Sequence, residues 1–265
     1  MTQAKQALSS RMSKILVRKF LGFNPLAAFL IGLFAGHGNI AQAQEGKPLA
    51  ELPPLAAANF QAIGRLLPSG ALNASLCTGT LIAPSVVMTA AHCVHAVDPP
   101  SQILFAAGYY RGSAVAERRV RALRFPAKLV VGAKLTMESL PHDVALLELD
   151  TPIENVRPLP LAPKPLLFVA ETPFGILGYS NAARQALSGR FDCATSPAPR
   201  TLFFLDCMVQ SGNSGAPILR QVGETWQVVG VVSARGPGSG GIWSMGAEVP
   251  ALASFILRDD PLKPE

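Results

Sequence analysis

Five prolines fall between Pro152 and Pro165, in TPIENVRPLPLAPKP, and neither a helix nor a central sheet strand can run through such a stretch. It reads as an extended connector, residues 151–165, and it divides the chain. On both sides the sequence has the same habit: short β-prone stretches separated by clusters of Pro, Gly, Ser and Asn. The first set lies near residues 60–67, 77–82, 86–90, 103–109, 116–123 and 144–149, the second near 167–178, 202–209, 216–220, 226–233 and 242–248. This spacing predicts an all-β barrel or sandwich with two halves, residues 59–150 and 166–265. One helix is expected at the end, where Pro250 can take a first-turn position and Leu252, Phe255 and Ile256 fall on one face.

Residues 1–43 stand apart. Lys5, Arg11, Lys14, Arg18 and Lys19 precede an apolar run from Leu26 to Ala35, and Ala41-Gln42-Ala43 follows. That order predicts a signal peptide cleaved after Ala43, with a periplasmic or extracellular destination. The run is short for a membrane span, although the long basic stretch leaves an uncleaved anchor as the alternative. Removing it lowers the formal charge of +6 by five, to +1. No basic stripe is then evident, so neither nucleic acid nor, after cleavage, a membrane is an expected partner. Residues 44–58, rich in Pro, Ala and Leu, read as an N-terminal extension, a short pro-segment or a surface strap. No coiled-coil heptads stand out, and the oligomeric state is left open.

Four cysteines remain, Cys77, Cys93, Cys193 and Cys207. In an exported chain they predict disulfides, in one of three connectivities, of which sequential pairing is the simplest. Each sequential loop of about 15 residues would contribute roughly 3 kcal/mol by chain entropy. The absence of a close C-x-x-C spacing argues against zinc, and no metal or cofactor is expected.

Three strings carry chemistry. His92 ends a small-residue run, Thr89-Ala90-Ala91, and adjoins Cys93, whose tether would steady an imidazole acting as a base. Taken alone it could equally be a core histidine. Asp143 opens the continuously apolar run Val144-Ala145-Leu146-Leu147, at the mouth of a buried strand where a carboxylate needs a partner. The plain alternative is an aspartate in an ordinary turn. Ser214 sits between Gly212-Asn213 and Gly215-Ala216-Pro217, where glycine permits a backbone that turns the Gly212 and Ser214 N–H groups toward one point. The alternative there is a Gly-Ser turn. His95 and His142 lack comparable settings and read as surface or structural residues.

Together, CTGTLIAPSVVMTAAHC, HDVALLEL and CMVQSGNSGAPI resemble the chymotrypsin-like (trypsin-like) serine proteases, particularly the bacterial branch that includes glutamyl endopeptidases. The resemblance runs from about Phe60 to Leu257. It implies two antiparallel six-stranded β-barrels packed together, and protein or peptide substrates. It also implies Ser214 as nucleophile, His92 as general base and then acid, Asp143 as the orienting carboxylate, and Gly212 and Ser214 as the oxyanion hole. Cys77–Cys93 would match the family bridge beside the histidine, and Cys193–Cys207 the one before the serine in the bacterial branch.

Departures from the family pattern narrow the expectation. Asn213 stands where trypsin has the aspartate that pairs with a newly cut N-terminus, which argues against that mode of activation. Met208 replaces trypsin's basic-selective aspartate, and Val209 and Val232 replace a threonine and a histidine of the glutamyl endopeptidases. With Ser211, Ser233 and Ala234 they predict a pocket for a small or medium apolar side chain, whereas an inward Arg235 would readmit an acidic one. An inactive member of the fold that binds a partner is the alternative function. An esterase or lipase fits poorly, because those enzymes run Ser, Asp, His along the chain.

Overall fold

The computed structural model describes residues 46–68, 77–126, 128–129, 135–163, 173–196, 198–199, 201–236 and 244–248. The predicted leader and C-terminal helix lie outside the described residues. Among those described the chain is almost wholly β. The strands are β1 (Lys47–Pro48), β2 (Ala50–Glu51), β3 (Ile63–Pro68), β4 (Cys77–Ala83), β5 (Val86–Thr89), β6 (Ile103–Ala107), β7 (Ala116–Arg124) and β8 (Ala145–Leu149) in the first part. They are followed by β9 (Phe174–Gly178), β10 (Ser188–Cys193), β11 (Thr195–Ser196), β12 (Leu202–Leu205), β13 (Cys207–Met208), β14 (Pro217–Val222), β15 (Thr225–Ala234) and β16 (Ser244–Glu248). The only described α-helix is one turn, α1 (Pro54–Ala57), with Pro54 at its start.

Strands β3 to β8 form a closed barrel in the order β3-β4-β5-β8-β7-β6. Leu66, Val87 and Phe105 converge on its axis, where Gly64 and Gly79 leave room: a Cβ on Gly64 would lie 2.6 Å from the Phe105 ring, and one on Gly79 2.8 Å from Val87. These three side chains are fully buried. β8 is paired along both edges, to β5 and β7, which accounts for its unbroken apolar reading. Glu148 is the exception in that strand. It looks like a solvated residue in sequence, yet it pairs with Arg121 and, at 3.6 Å, with Arg124.

Among the described residues the strands of the second half, with β2, make a sheet of eight in the order β11-β12-β16-β15-β14-β9-β10-β2, without the closure expected of a second barrel. The reason lies at Ala194. There the chain bends out of β10 into β11, so that β10 pairs with β9 while β11 pairs with β12. The corner is held by the Cys193–Cys207 disulfide and by two bonds between Ala194 and Asp206, instead of by a continuous ladder. Phe174, Ile176, Phe203, Ile218 and Val229 fill the core under this sheet.

Two neighbouring segments fasten onto the sheet. The proline-rich run passes from the barrel, where Ile153 and Leu159 donate to the Pro84 and Leu81 carbonyls, to β15, where Ala162 N donates to Val228 O and Val228 N to Pro160 O. Residues 46–52 form a strap: β1 pairs in parallel with β13, β2 pairs with β10, and Leu52 is buried. Lys47 Nζ lies 3.1 Å from Asp206 Oδ2 and donates to the Asp192 carbonyl at 2.8 Å. That ion pair is half exposed and contributes at most about 1 kcal/mol. Burial of Leu52 contributes more, about 1.5–3 kcal/mol. Truncation of residues 46–53 is therefore expected to cost about 3 kcal/mol with the ladder bonds included, a fall in Tm of roughly 6–12 °C, which calorimetry of the oxidised protein would measure.

Candidate active site

The site is assembled from the end of one ladder. In the barrel Thr89 of β5 lies opposite Ala145 of β8, so the residues just beyond Thr89 and just before Ala145 leave the sheet side by side. Beyond Thr89 the chain makes a 3-10 turn, Ala91–Cys93, that carries His92. Ahead of Ala145 a second such turn, Leu140–His142, delivers Asp143. The Cys77–Cys93 disulfide ties the histidine turn back to β4, and the sequential pairing of all four cysteines is formed.

Asp143 is 1% exposed, and two donors from one residue receive its carboxylate. His92 gives its backbone N–H to Oδ1 at 2.8 Å, and its ring Nδ1 stands 2.7 Å from Oδ2. A carboxylate oxygen only accepts, so Nδ1 carries the proton and Nε2 is left as the basic nitrogen. The imidazole itself is about one-third exposed, open to a reactant on that side. Nε2 lies 3.8 Å from Cys93 Sγ and makes no hydrogen bond to the Ser214 hydroxyl.

Ser214 comes from the other half, on a tight turn between β13 and β14. Asn213 N donates to Gln210 O, Ala216 N to Asn213 O, and Gly215 N to Val232 O. Among the described residues the N–H groups of Gly212 and Ser214 have no such protein acceptor, and Gly212 has φ +101°, a conformation that glycine tolerates. Gly215, at φ +83°, brings the turn against the barrel. A Cβ there would stand 2.1 Å from Thr89 Oγ1 and 3.0 Å from Ala90 N. The serine turn thus packs on the segment that leads into His92.

Asn213 is buried and satisfied at both ends. Its Oδ1 accepts from Gln210 N at 2.8 Å, and its Nδ2 donates to Tyr179 O at 3.1 Å. A carboxylate in its place would face that carbonyl with no proton to give. Tyr179 is buried too, and burial pushes its phenol well above the usual range although the nearby Arg65 pulls it back. It stays protonated and donates to Tyr109 O at 2.8 Å. Arg65 is fully buried with its guanidinium 4.2 Å over the Tyr109 ring, a cation–π contact.

Beside Ser214 lie two adjoining clefts. The smaller, about 190 Å³, is bounded by Val209, Ser211, Ser214, Val232, Ala234 and Arg235. The larger, about 490 Å³, adds Met208 and Asn181 and shares Val209, Ser211 and Arg235. Arg235 is exposed at the rim of both. Ser233 borders neither cleft: it is buried, with its hydroxyl 3.5 Å from the carbonyl of Asp143. Among the described residues the buried Nδ1 of His142 has no partner, and His95 reaches the carbonyl of Ala91. Cys77, His92 and Cys93 lie close enough to hold a metal ion, but the two sulfurs are bonded to each other and offer no thiolate.

The trypsin family model matches residues 58–256, a span that covers the barrel, all of the sheet but β2, and every side chain just described. The chain belongs to the trypsin family, within the chymotrypsin-like serine proteases. Members of that family are ordinarily serine hydrolases acting on proteins or peptides.

The surroundings of Asn213 generate a test. Asn213→Asp is expected to lower stability by about 1–3 kcal/mol at neutral pH, through the carboxylate set against Tyr179 O. Denaturant melts of the two proteins would measure it, and Asn213→Asp should regain part of the loss as the acid is protonated.

Proposed function

We propose that this chain is an exported serine endopeptidase that cleaves peptide bonds through an acyl-enzyme, with Ser214 as nucleophile, His92 as base and acid, and Asp143 as orienting carboxylate. The observation that carries the reading is the two-point grip of His92 on the buried Asp143, which leaves Nε2 basic. In the reaction Nε2 takes the proton of the Ser214 hydroxyl as Oγ attacks the carbonyl carbon. The Gly212 and Ser214 amides receive the oxyanion, and Nε2 then returns the proton to the departing amine. Water repeats the sequence to release the acid. Hydrogen bonds of this kind are often long before substrate arrives and close in the complex.

The same proposal takes residues 1–43 as a leader, with residues 44–58 as an extension ahead of a barrel half and a second half joined through residues 151–165. Disulfides at both halves accord with an oxidising destination, periplasmic or extracellular. For the residue on the acyl side of the cut, Met208, Val209, Val232 and Ala234 favour a small or medium apolar side chain, each methylene being worth about 1–3 kcal/mol of discrimination. Arg235 borders the rim, and Ser211 offers a hydroxyl there. Met208 in place of an acid speaks against cleavage after Lys or Arg. Because Asn213 is already satisfied internally, the site needs no new N-terminus to complete it. A catalytically silent binding protein of the same fold is the second reading, prompted by the unmade bond between Nε2 and Ser214.

Digestion of a diverse peptide library tests these assignments. Wild type should cut after Ala, Val, Leu or residues of similar size, Ser214→Ala should lose on the order of 10^6-fold in kcat, and Asp143→Asn on the order of 10^4-fold with the fold retained. Undiminished cutting by Ser214→Ala would reject the nucleophile. Cutting after Glu that vanishes in Arg235→Ala would reject the apolar pocket.

A further inference from the structure

Thr78 of β4 has no place in the chemistry above, yet every polar group it owns is engaged at the site. It is fully buried. Its N–H donates to Ser214 O at 2.9 Å, and its carbonyl accepts from Thr89 Oγ1 at 2.8 Å. Its hydroxyl accepts from Tyr179 N at 3.0 Å and stands 2.9 Å from Gly212 O and 3.3 Å from Tyr179 O. A hydroxyl has one proton to give, and the nearer acceptor is Gly212 O. One residue therefore holds the carbonyls of both Gly212 and Ser214, the two residues whose own N–H groups have no protein acceptor among the described residues.

That placement matters because glycine at φ +101° has a broad conformational well. The Gly212 carbonyl belongs to the peptide unit that lies between the two amides; Gln210 O holds that unit at Asn213 N–H and the Thr78 hydroxyl is its second anchor, without which the angle between the Gly212 and Ser214 N–H groups gains play. We infer that the Thr78 hydroxyl is a positioning group for the oxyanion hole: it locks Gly212 O, and through it the aim of the two amides, from the barrel half that also carries His92. Thr89 extends the lock, since its hydroxyl fixes the Thr78 carbonyl three residues before the histidine. The inference rests on the hydrolytic reading proposed above.

Thr78→Val keeps the shape and both backbone bonds and deletes only the hydroxyl; Thr78→Ser restores it. Active sites are counted with a fluorophosphonate, and kcat is expressed per titrated site. Removing an oxyanion donor outright costs about 10^2- to 10^3-fold, so loosening its aim is expected to cost about 10- to 100-fold in kcat. KM should stay within about twofold, and Thr78→Ser should recover most of the loss. A peptide aldehyde, which forms the tetrahedral adduct, should lose affinity in parallel with kcat, while a cleaved product peptide should bind unchanged. A merely structural threonine would give fewer titratable sites and a lower Tm with kcat per site and aldehyde affinity intact, and that result would overturn the inference. Should Thr78→Val yield no titratable protein, Thr78→Ala, which admits water to the vacated position, is judged by the same two ratios. Failure of wild type to react at Ser214 would instead reject the underlying hydrolytic reading, before any Thr78 variant is compared.

Discussion

A carboxylate at 1% exposure survives only if donors receive it, and among the described residues both donors to the Asp143 carboxylate come from His92. Leaving such a charge unpaired would cost several kcal/mol, so the pair organises its surroundings as much as it is organised by them. The backbone bond of His92 to Oδ1 fixes where the turn after β5 goes, and the ring bond to Oδ2 fixes the tautomer. β8 can present the carboxylate so consistently because it is paired on both edges. From this fixed point the serine turn is docked by Gly215 against Thr89 and by Thr78 against Gly212 and Ser214.

Much of the fold was legible in the sequence, for identifiable reasons. The barrel strands announced themselves because each is a short apolar or alternating run bounded by breakers, and the observed ends fall within a few residues of those expected. β10 was missed, since Ser188-Gly189-Arg190-Phe191-Asp192-Cys193 has neither alternation nor β-branched residues. It is a strand because β9 and β2 offer it edges, which is a tertiary cause. The open sheet was illegible for a similar reason: nothing in the local sequence says that Ala194 is a corner or that Asp206 closes it.

The site divides in the same way. His92, Asp143 and Ser214 could be singled out because each stands in a string whose neighbours serve it, and the structure sets the first two in hydrogen-bond contact. Asn213 was legible only as a departure from the family; its reason, a carbonyl at Tyr179 that requires a donor, is visible only in three dimensions. Thr78 and Thr89 were within reach, lying one residue after Cys77 and three before His92. A threonine in a strand is unremarkable by itself, however, and no pattern marks the one whose hydroxyl crosses to the other half. Ser233 shows the converse, since its position in the chain suggested a pocket wall while its side chain turns to Asp143.

The most direct measurement is mass spectrometry of the folded, disulfide-bonded protein after exposure to a fluorophosphonate, with His92→Ala alongside. Activation of Ser214 by the gripped imidazole predicts one adduct, on the peptide holding Ser214, formed rapidly in wild type and suppressed in His92→Ala. An unmodified wild-type protein, or an adduct on another serine, would contradict it.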